Sequence, residues 1–484
     1  MRKTLILAAT AALFPLYSLA GPLSPEQRVD LTAAVESYAP RMNEVSDELW
    51  RNPELGYLET KTSALLQGEL KAHGFEIDTG VAGIPTAFIA RRGSGEGPVI
   101  AILAEMDALP GFSQDASPER RAMDGLEAGH ACGHHLFGAG SVAAAIAVAD
   151  WLEANGVDGQ IRLYGTPAEE GGSGKVYMVR AGLFDDVDVT LHWHPASGNS
   201  ASQGKSLANV SAKFRFEGRS AHAAMAPDKG RSALDGIEAM NHMVNLMREH
   251  VPQETRIHYV ITDGGDAPNV VPDFAETYLY VRHPDPAVVA DVFARIEKAA
   301  EGAALGTGTS YSVERTGGVY SMLPNDTLGR VMDANLRQAA PIEWTDEETA
   351  FGEKLQTSLG DKAPTLSSVS QVEPYEFGTQ GYYSTDVGDV SWVTPTVGLG
   401  TATWVPGTWA HSWQAVAAGG MSIGHKGTKL AALTLATTAA ELFQSPDSIV
   451  AAKAEFETER GADFAYEALI GDREPPLDYR LPTQ

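Results

Sequence analysis

Pro98-Val99-Ile100-Ala101-Ile102-Leu103-Ala104 is an unbroken apolar run. A run without polar alternation describes a strand covered on both faces, the habit of parallel sheets flanked by helices. The segments on either side agree. Upstream, Ser24-Pro25-Glu26-Gln27 reads as a helix start, with Ser24 as N-cap, Pro25 in the first turn and Gln27 closing a capping box. That helix is expected to run to Trp50 and to end at Asn52-Pro53, with a second over Thr60–His73 and a strand over Ala87–Arg91. Downstream come an Ala-rich helix (Gly138–Leu152), a strand (Ile161–Tyr164), a helix (Lys175–Ala181) and a strand (Val187–Leu191). Strands alternating with helices predict an α/β domain with a mostly parallel sheet.

The texture changes near Asn209. Ser211–Glu217 alternates, with Ala212, Phe214 and Phe216 on one face, as a half-exposed strand does. A helix over Ser232–His250, strands near Arg256–Thr262 and Glu276–Arg282, a helix over Ala287–Ala304 and a strand over Ser310–Arg315 follow. This is the ferredoxin-like α+β order, read as a second domain (209–321) inserted into the first (21–208 and 322–484). After Leu323 the α/β texture returns and closes on a long apolar helix, Lys426–Phe443. Glu343–Gln380 is polar and reads as an irregular insertion, and the stretch after Ser445 leaves its docking open.

Among 484 residues, 63 acidic side chains outnumber 36 basic ones, giving a formal charge of −27, so phosphate neutralisation and nucleic-acid partners are not expected. Arg2 and Lys3, the apolar run Leu5–Leu19 and the small residues of Ser18-Leu19-Ala20 form a secretory leader, with cleavage expected after Ala20. Its apolar run is short for a membrane anchor. The chain is therefore expected to be exported, to the periplasm or beyond, with no membrane span. With one cysteine, Cys132, no intramolecular disulfide can form.

Chemistry concentrates in four clusters. Gly129-His130-Ala131-Cys132-Gly133-His134-His135 packs three imidazoles and the lone thiol into one loop, and such ligands suit zinc-like cations. Thr166-Pro167-Ala168-Glu169-Glu170-Gly171-Gly172 places paired carboxylates just past a strand, where open α/β sheets carry their sites. One glutamate can bind an ion while the other activates water. In Leu191-His192-Trp193-His194-Pro195, His192 and His194 share one face of a strand, so either could reach the sheet's upper edge. The fourth cluster is Trp409-Ala410-His411-Ser412-Trp413. His-Glu-x-x-His is absent. Gly420-Met421-Ser422-Ile423-Gly424 matches a nucleophile elbow, but it lacks the downstream Asp and His of a triad.

At these residues the sequence resembles the metallopeptidase and amidohydrolase family of aminoacylases, bacterial dipeptidases, hippurate hydrolases, auxin-conjugate hydrolases and aminobenzoyl-glutamate hydrolases. The likeness covers nearly the whole chain after the leader. It includes Gly129–Gly138, Glu169–Lys175, Gly230–Asp235, Pro268–Val271 and Ser384–Trp392. The resemblance implies a site of two divalent metal ions, zinc or manganese, held by Cys132, His134, Glu170, His194 and His411. Glu169 would be the general base and Asp107 a hydrogen-bonding support. It favours His194 over His192 and makes the inserted domain a lid and dimerisation domain. In that lid His222 would stabilise an oxyanion, often in the partner subunit's site, while Asn269 and Arg282 would grip a substrate carboxylate. The implied activity is hydrolysis of the amide bond of N-acyl amino acids, aminobenzoyl-glutamate-like, by a homodimer or with a related partner subunit. A dipeptidase or aminoacylase for another N-blocked amino acid is the alternative within the family. A non-catalytic ligand-binding relative is the rival class, but a binder has no use for Glu169.

Overall fold

The computed structural model describes residues 22–360 and 362–481, so the expected leader lies outside the described residues. The apolar run forms strand Val99–Glu105 near the middle of a six-stranded sheet. Across the sheet the order is Glu76–Thr79, Phe88–Gly93, Gln160–Thr166, Val99–Glu105, Val189–Ala196 and Thr396–Ala402. The last four are parallel and the first two join antiparallel at one edge. Helices Pro25–Arg51, His134–Asn155 and Ser422–Gln444 pack on one another beside this sheet. His134–Asn155 is long and apolar enough to cross a membrane, but it is almost entirely buried in protein and is the core helix.

Three of the differences from the sequence reading bear on the site and its surroundings. The core helix begins at His134, a turn before Gly138, because Gly133 adopts φ 79° at its N-cap and turns the chain sharply. A Cβ on Gly133 would come within 2.7 Å of Pro195. The strand expected to end at Leu191 continues to Ala196, since Thr396–Ala402 pairs alongside it and sets Gly398 beside His192 and Gly400 beside His194. The stretch expected to be irregular, 343–380, is so only in part among the described residues. Thr345 and Glu348 close a capping box on helix Asp346–Gln356, and Phe377–Gln380 pairs with Gln203–Lys205. The stretch after Ser445 docks. It forms helix Pro446–Arg460, then buries Leu469 and Ile470.

The inserted unit is a four-stranded antiparallel sheet in the order Arg256–Asp263, Phe274–His283, Ala208–Glu217, Ser310–Val319. Helices Ala233–Met247 and Pro286–Thr307 cover it, enclosing Phe214, Phe216, Ile237 and Phe293 in a core of its own.

Candidate metal centre

The clusters singled out above meet at one edge of the sheet: the second and fourth lie beyond the carboxyl ends of parallel strands, the third in the last residues of one, and the first in the loop that runs into the core helix. Cys132 ends the loop before the core helix, and His134 is in that helix's first turn. Glu169 and Glu170 occupy the turn after Gln160–Thr166, and His194 projects from Val189–Ala196. His411 holds φ 59°, and its backbone N–H donates to the Ala131 carbonyl at 2.8 Å, tying the fourth cluster to the first. Ala168 and Ser173, on either side of the glutamate turn, are also non-glycine residues at φ near 60°. Each such conformation costs about 1 kcal/mol and persists only where its surroundings enforce it.

The side chains converge. Ligand atoms of Cys132, His134 and His194 lie within 4.8 Å of one another, and so do those of Cys132, Glu170 and His411. The two groups share the Cys132 sulfur, so their union is the full implied ligand set. Cys132 Sγ is 3.4 Å from His194 Nε2, and His411 Nε2 is 2.9 Å from Glu170 Oε1. His192 belongs to neither group. It faces Gly398, and burial lowers its imidazole to about 4. Asp107 supports the site from below. Its Oδ1 is 3.0 Å from His134 Nδ1, and its Oδ2 accepts the backbone N–H of Glu170 at 2.9 Å.

Deeper still, the fully buried Lys175 ammonium contacts Glu105 at 2.7 Å and Asp386 at 2.6 Å. Burial opposes the charge of Glu105, but Lys175 and His134 override it and hold the carboxyl below its usual range. The opposite holds for Glu169, where burial, then Glu105 and Glu170, push the carboxyl well above its usual range. Burial likewise raises the Cys132 thiol. The site and the layer beneath it thus hold Glu105, Asp107, Glu169, Glu170, Asp386 and a thiol, with the Lys175 ammonium neutralising Glu105 and Asp386. This excess of negative donors, with sulfur and imidazole among them, fits divalent cations, which deprotonate a coordinating thiol outright. A cavity of about 450 Å³ opens onto Glu169, Glu170, His194 and His411, with Phe137 and Met322 in its wall.

Residues 208–307, most of the inserted unit, match the model of the peptidase dimerisation domain. Along 437 residues the sequence is 40% identical to one of the subunits of p-aminobenzoyl-glutamate hydrolase of Escherichia coli, covering 85% of this chain and 90% of that one. The chain belongs to the M20 peptidase family. It is accordingly an enzyme, a metal-dependent hydrolase of linear amide bonds. Xaa-Arg dipeptidase of Mus musculus is 29% identical over 87% of this chain and 90% of its own. A dinuclear metal-binding peptidase of the M20 family from Bacillus subtilis shares the fold, with a TM-score of 0.53 at 20% identity over 83% of this chain and 99% of that one.

The lid residues do not join the M20 site of their own chain. His222, Asn269 and Arg282 are absent from the cavity wall. His222 is exposed, bridged to Val270, with Nδ1 accepting the Met225 N–H at 3.1 Å. Asn269 lies in the same loop cluster, where its carbonyl accepts the Ala223 N–H. Arg282 stands at the other end of strand Phe274–His283, paired with Asn209 and stacked on Tyr280. The strand from Phe274 to Arg282 spans roughly 26 Å at its usual rise. The expectation that Asn269 and Arg282 of one lid grip one carboxylate is therefore corrected. Ser422 of the elbow-like motif donates to Glu348 at 2.6 Å and opens a helix, which removes it as a nucleophile. Sequence reasoning assigns no role to Lys175, Glu105 or Asp386, although they lie inside the family-like stretches or beside Asp107. A lysine between apolar neighbours is the signal that points to them.

Proposed function

We propose that this enzyme hydrolyses N-acyl amino acids with an aromatic-sized acyl group, of the aminobenzoyl-glutamate kind, using two zinc or manganese ions held by Cys132, His134, Glu170, His194 and His411. The observation that carries the reading is the pair of donor groups sharing Cys132 beside Glu169 at the cavity floor. Phe137, Met322, Tyr383 and Val387 give that cavity an apolar wall that suits such an acyl group. When bound, the cations polarise the scissile carbonyl and lower the pKa of the attacking water. Glu169 takes the water proton and returns it to the leaving nitrogen. Asp107 fixes His134 through Nδ1 and leaves Nε2 as the ligand atom.

The reading extends to assembly and place. The chain works as a homodimer through its lid, and His222 serves the site of a second copy. The exposure of His222 outside its own cavity supports this. Residues 1–20 direct export, so the exported protein begins at Gly21. The test is an amide panel of aminobenzoyl-glutamate, hippurate and a dipeptide, assayed before chelation, after it and after adding back zinc or manganese. Chelator-sensitive turnover of the aminobenzoyl substrate is expected. Activity indifferent to chelation overturns the reading.

A further inference from the structure

The turn that carries Glu169 and Glu170 is held in a conformation it would not choose alone. Ala168 and Ser173 both sit at positive φ, and non-glycine residues keep such values only under external constraint. Some constraints come from nearby in the fold. Glu59 accepts the Ala168 N–H at 2.8 Å, Asp107 accepts the Glu170 N–H, and the Tyr57 hydroxyl donates to the Gly172 carbonyl at 2.7 Å. The remaining two come from far away in sequence. The Tyr479 hydroxyl donates to the Glu170 carbonyl at 3.1 Å, and the Arg480 guanidinium donates to the same oxygen.

Residues 461–481 reach this point as a strap. Glu467 and Leu469 carbonyls accept from Tyr320 and Arg315 at the lid's last strand. Arg180, at the end of the helix after the glutamate turn, then donates to the carbonyls of Gly471 and Arg473. Tyr479 finally stands edge-on to Tyr57, its hydroxyl in a slot that a Cβ on Gly56 would close at 2.3 Å. A guanidinium and a phenol spent together on one carbonyl fix the Glu170–Gly171 peptide plane, which carries the Glu170 Cα and adjoins the peptide that carries Glu169.

We propose that Tyr479 and Arg480 are positioning residues, and that by clamping the Glu170 carbonyl they hold the 168–173 turn in the conformation that aims Glu169 and Glu170 into the cavity. The proposal rests on the roles proposed for those glutamates in amide hydrolysis. It predicts a defect in turn order and chemistry, with substrate binding and global stability spared. In the Tyr479→Phe, Arg480→Ala double variant, hydrogen exchange at the amides of 169–174, followed by mass spectrometry on metal-free protein, should rise on the order of tenfold. The metal-loaded double variant should lose about tenfold in kcat with KM within about twofold, and its melting temperature should stay close to the parent's. Arg480→Lys with Tyr479 intact should recover most of both. Unchanged exchange and kcat overturn the proposal. So does a loss that spreads over the whole exchange map and tracks melting temperature, because that marks general support. Should the double variant unfold, Tyr479→Phe alone must still raise exchange at 169–174 selectively, and a flat result there is equally fatal. Failure of the functional reading looks different. The parent would then show no chelator-sensitive amidase activity, while the exchange measurement on metal-free protein would still report on the clamp.

Discussion

Glu169 and Glu170 are adjacent along the chain, yet the two face different work. Glu170 is paired with His411 and braced by Asp107, whereas Glu169 lies outside the two groups that share Cys132, falls in a third donor group with Glu105 and His134, and carries the raised proton affinity. Glu169→Gln keeps the shape and removes the proton acceptor, so bound metal should be retained while kcat falls by roughly 10²–10⁴. Metal analysis and turnover on one preparation check this, and near-normal turnover would transfer the base role elsewhere. Lys175 is the single buried cation between Glu105 and Asp386. Lys175→Met fills the space but leaves Glu105 and Asp386 buried without the ammonium they share, Glu105 keeping His134 and Asp386 the backbone N–H of residue 175, at a cost of about 3–5 kcal/mol. The pH dependence has a definite sign. In the parent, the depressed Glu105 contributes stability above its unfolded pKa and loses it as the pH falls. In the variant, buried carboxyls without the ammonium prefer their protons, so acidification should narrow the gap. Denaturant unfolding of both proteins at pH 7 and pH 5 measures it, and a gap that widens at pH 5 contradicts the pairing.

The decisive element is the start of the core helix. Gly133 takes a left-handed conformation between Cys132 and His134 and leaves no room for a Cβ against Pro195 and Trp404. Gly133→Ala should cost about 2–3 kcal/mol, from the αL penalty plus crowding, and should shift both flanking ligands. Lowered melting temperature with weakened metal retention is the expected pair, and an unaffected metal content would detach the glycine from the site. The sequence does not mark the beginning of this helix, because His134 and His135 lack a helix-favouring signal. The start is set by the Gly133 turn and by burial against the sheet. The extension of strand Val189–Ala196 is hidden for a similar reason. It depends on a partner strand two hundred residues away, which pairs Gly398 with His192 and Gly400 with His194, and on Gly398 lacking the side chain that would collide with the His192 ring.

At the scale of the molecule, a lid with its own core stands on a catalytic unit whose cavity its named residues do not reach. If His222 acts across a dimer, mixing His222→Ala with Glu169→Gln protein should restore activity that neither has alone. About a quarter of parental turnover is the ceiling, because half of randomly exchanged dimers are mixed and each holds one complete site. Absence of any gain after verified subunit exchange would place His222 in its own chain's chemistry or none. Metal binding should also be felt globally, since an ion that binds only the folded chain stabilises it by mass action. Chelation should lower the melting temperature of the whole catalytic unit, and excess metal should restore it. An unaltered transition would mean that the donor groups hold no ion in solution.

Periodicity and local chemistry are enough to read the α/β sheet, the inserted ferredoxin-like order and the clusters at the strand ends. Each is written within a few residues, as an apolar run, an alternation or a dense set of ligand types. The resemblance then selects five ligands and a base from those clusters. What needs the tertiary structure is every relation between distant segments. Cys132 is shared by two donor groups only because three loops, a strand and the start of the core helix meet there. Asn269 and Arg282 look like partners from their nearness along the chain, but a strand carries them to opposite ends of the lid. Beyond helix Pro446–Arg460 the chain shows no pattern because its order comes from backbone carbonyls that Arg180, Arg315 and Tyr320 hold in place. Such bonds use main-chain groups that every residue possesses, so composition cannot announce them and only packing decides where they form.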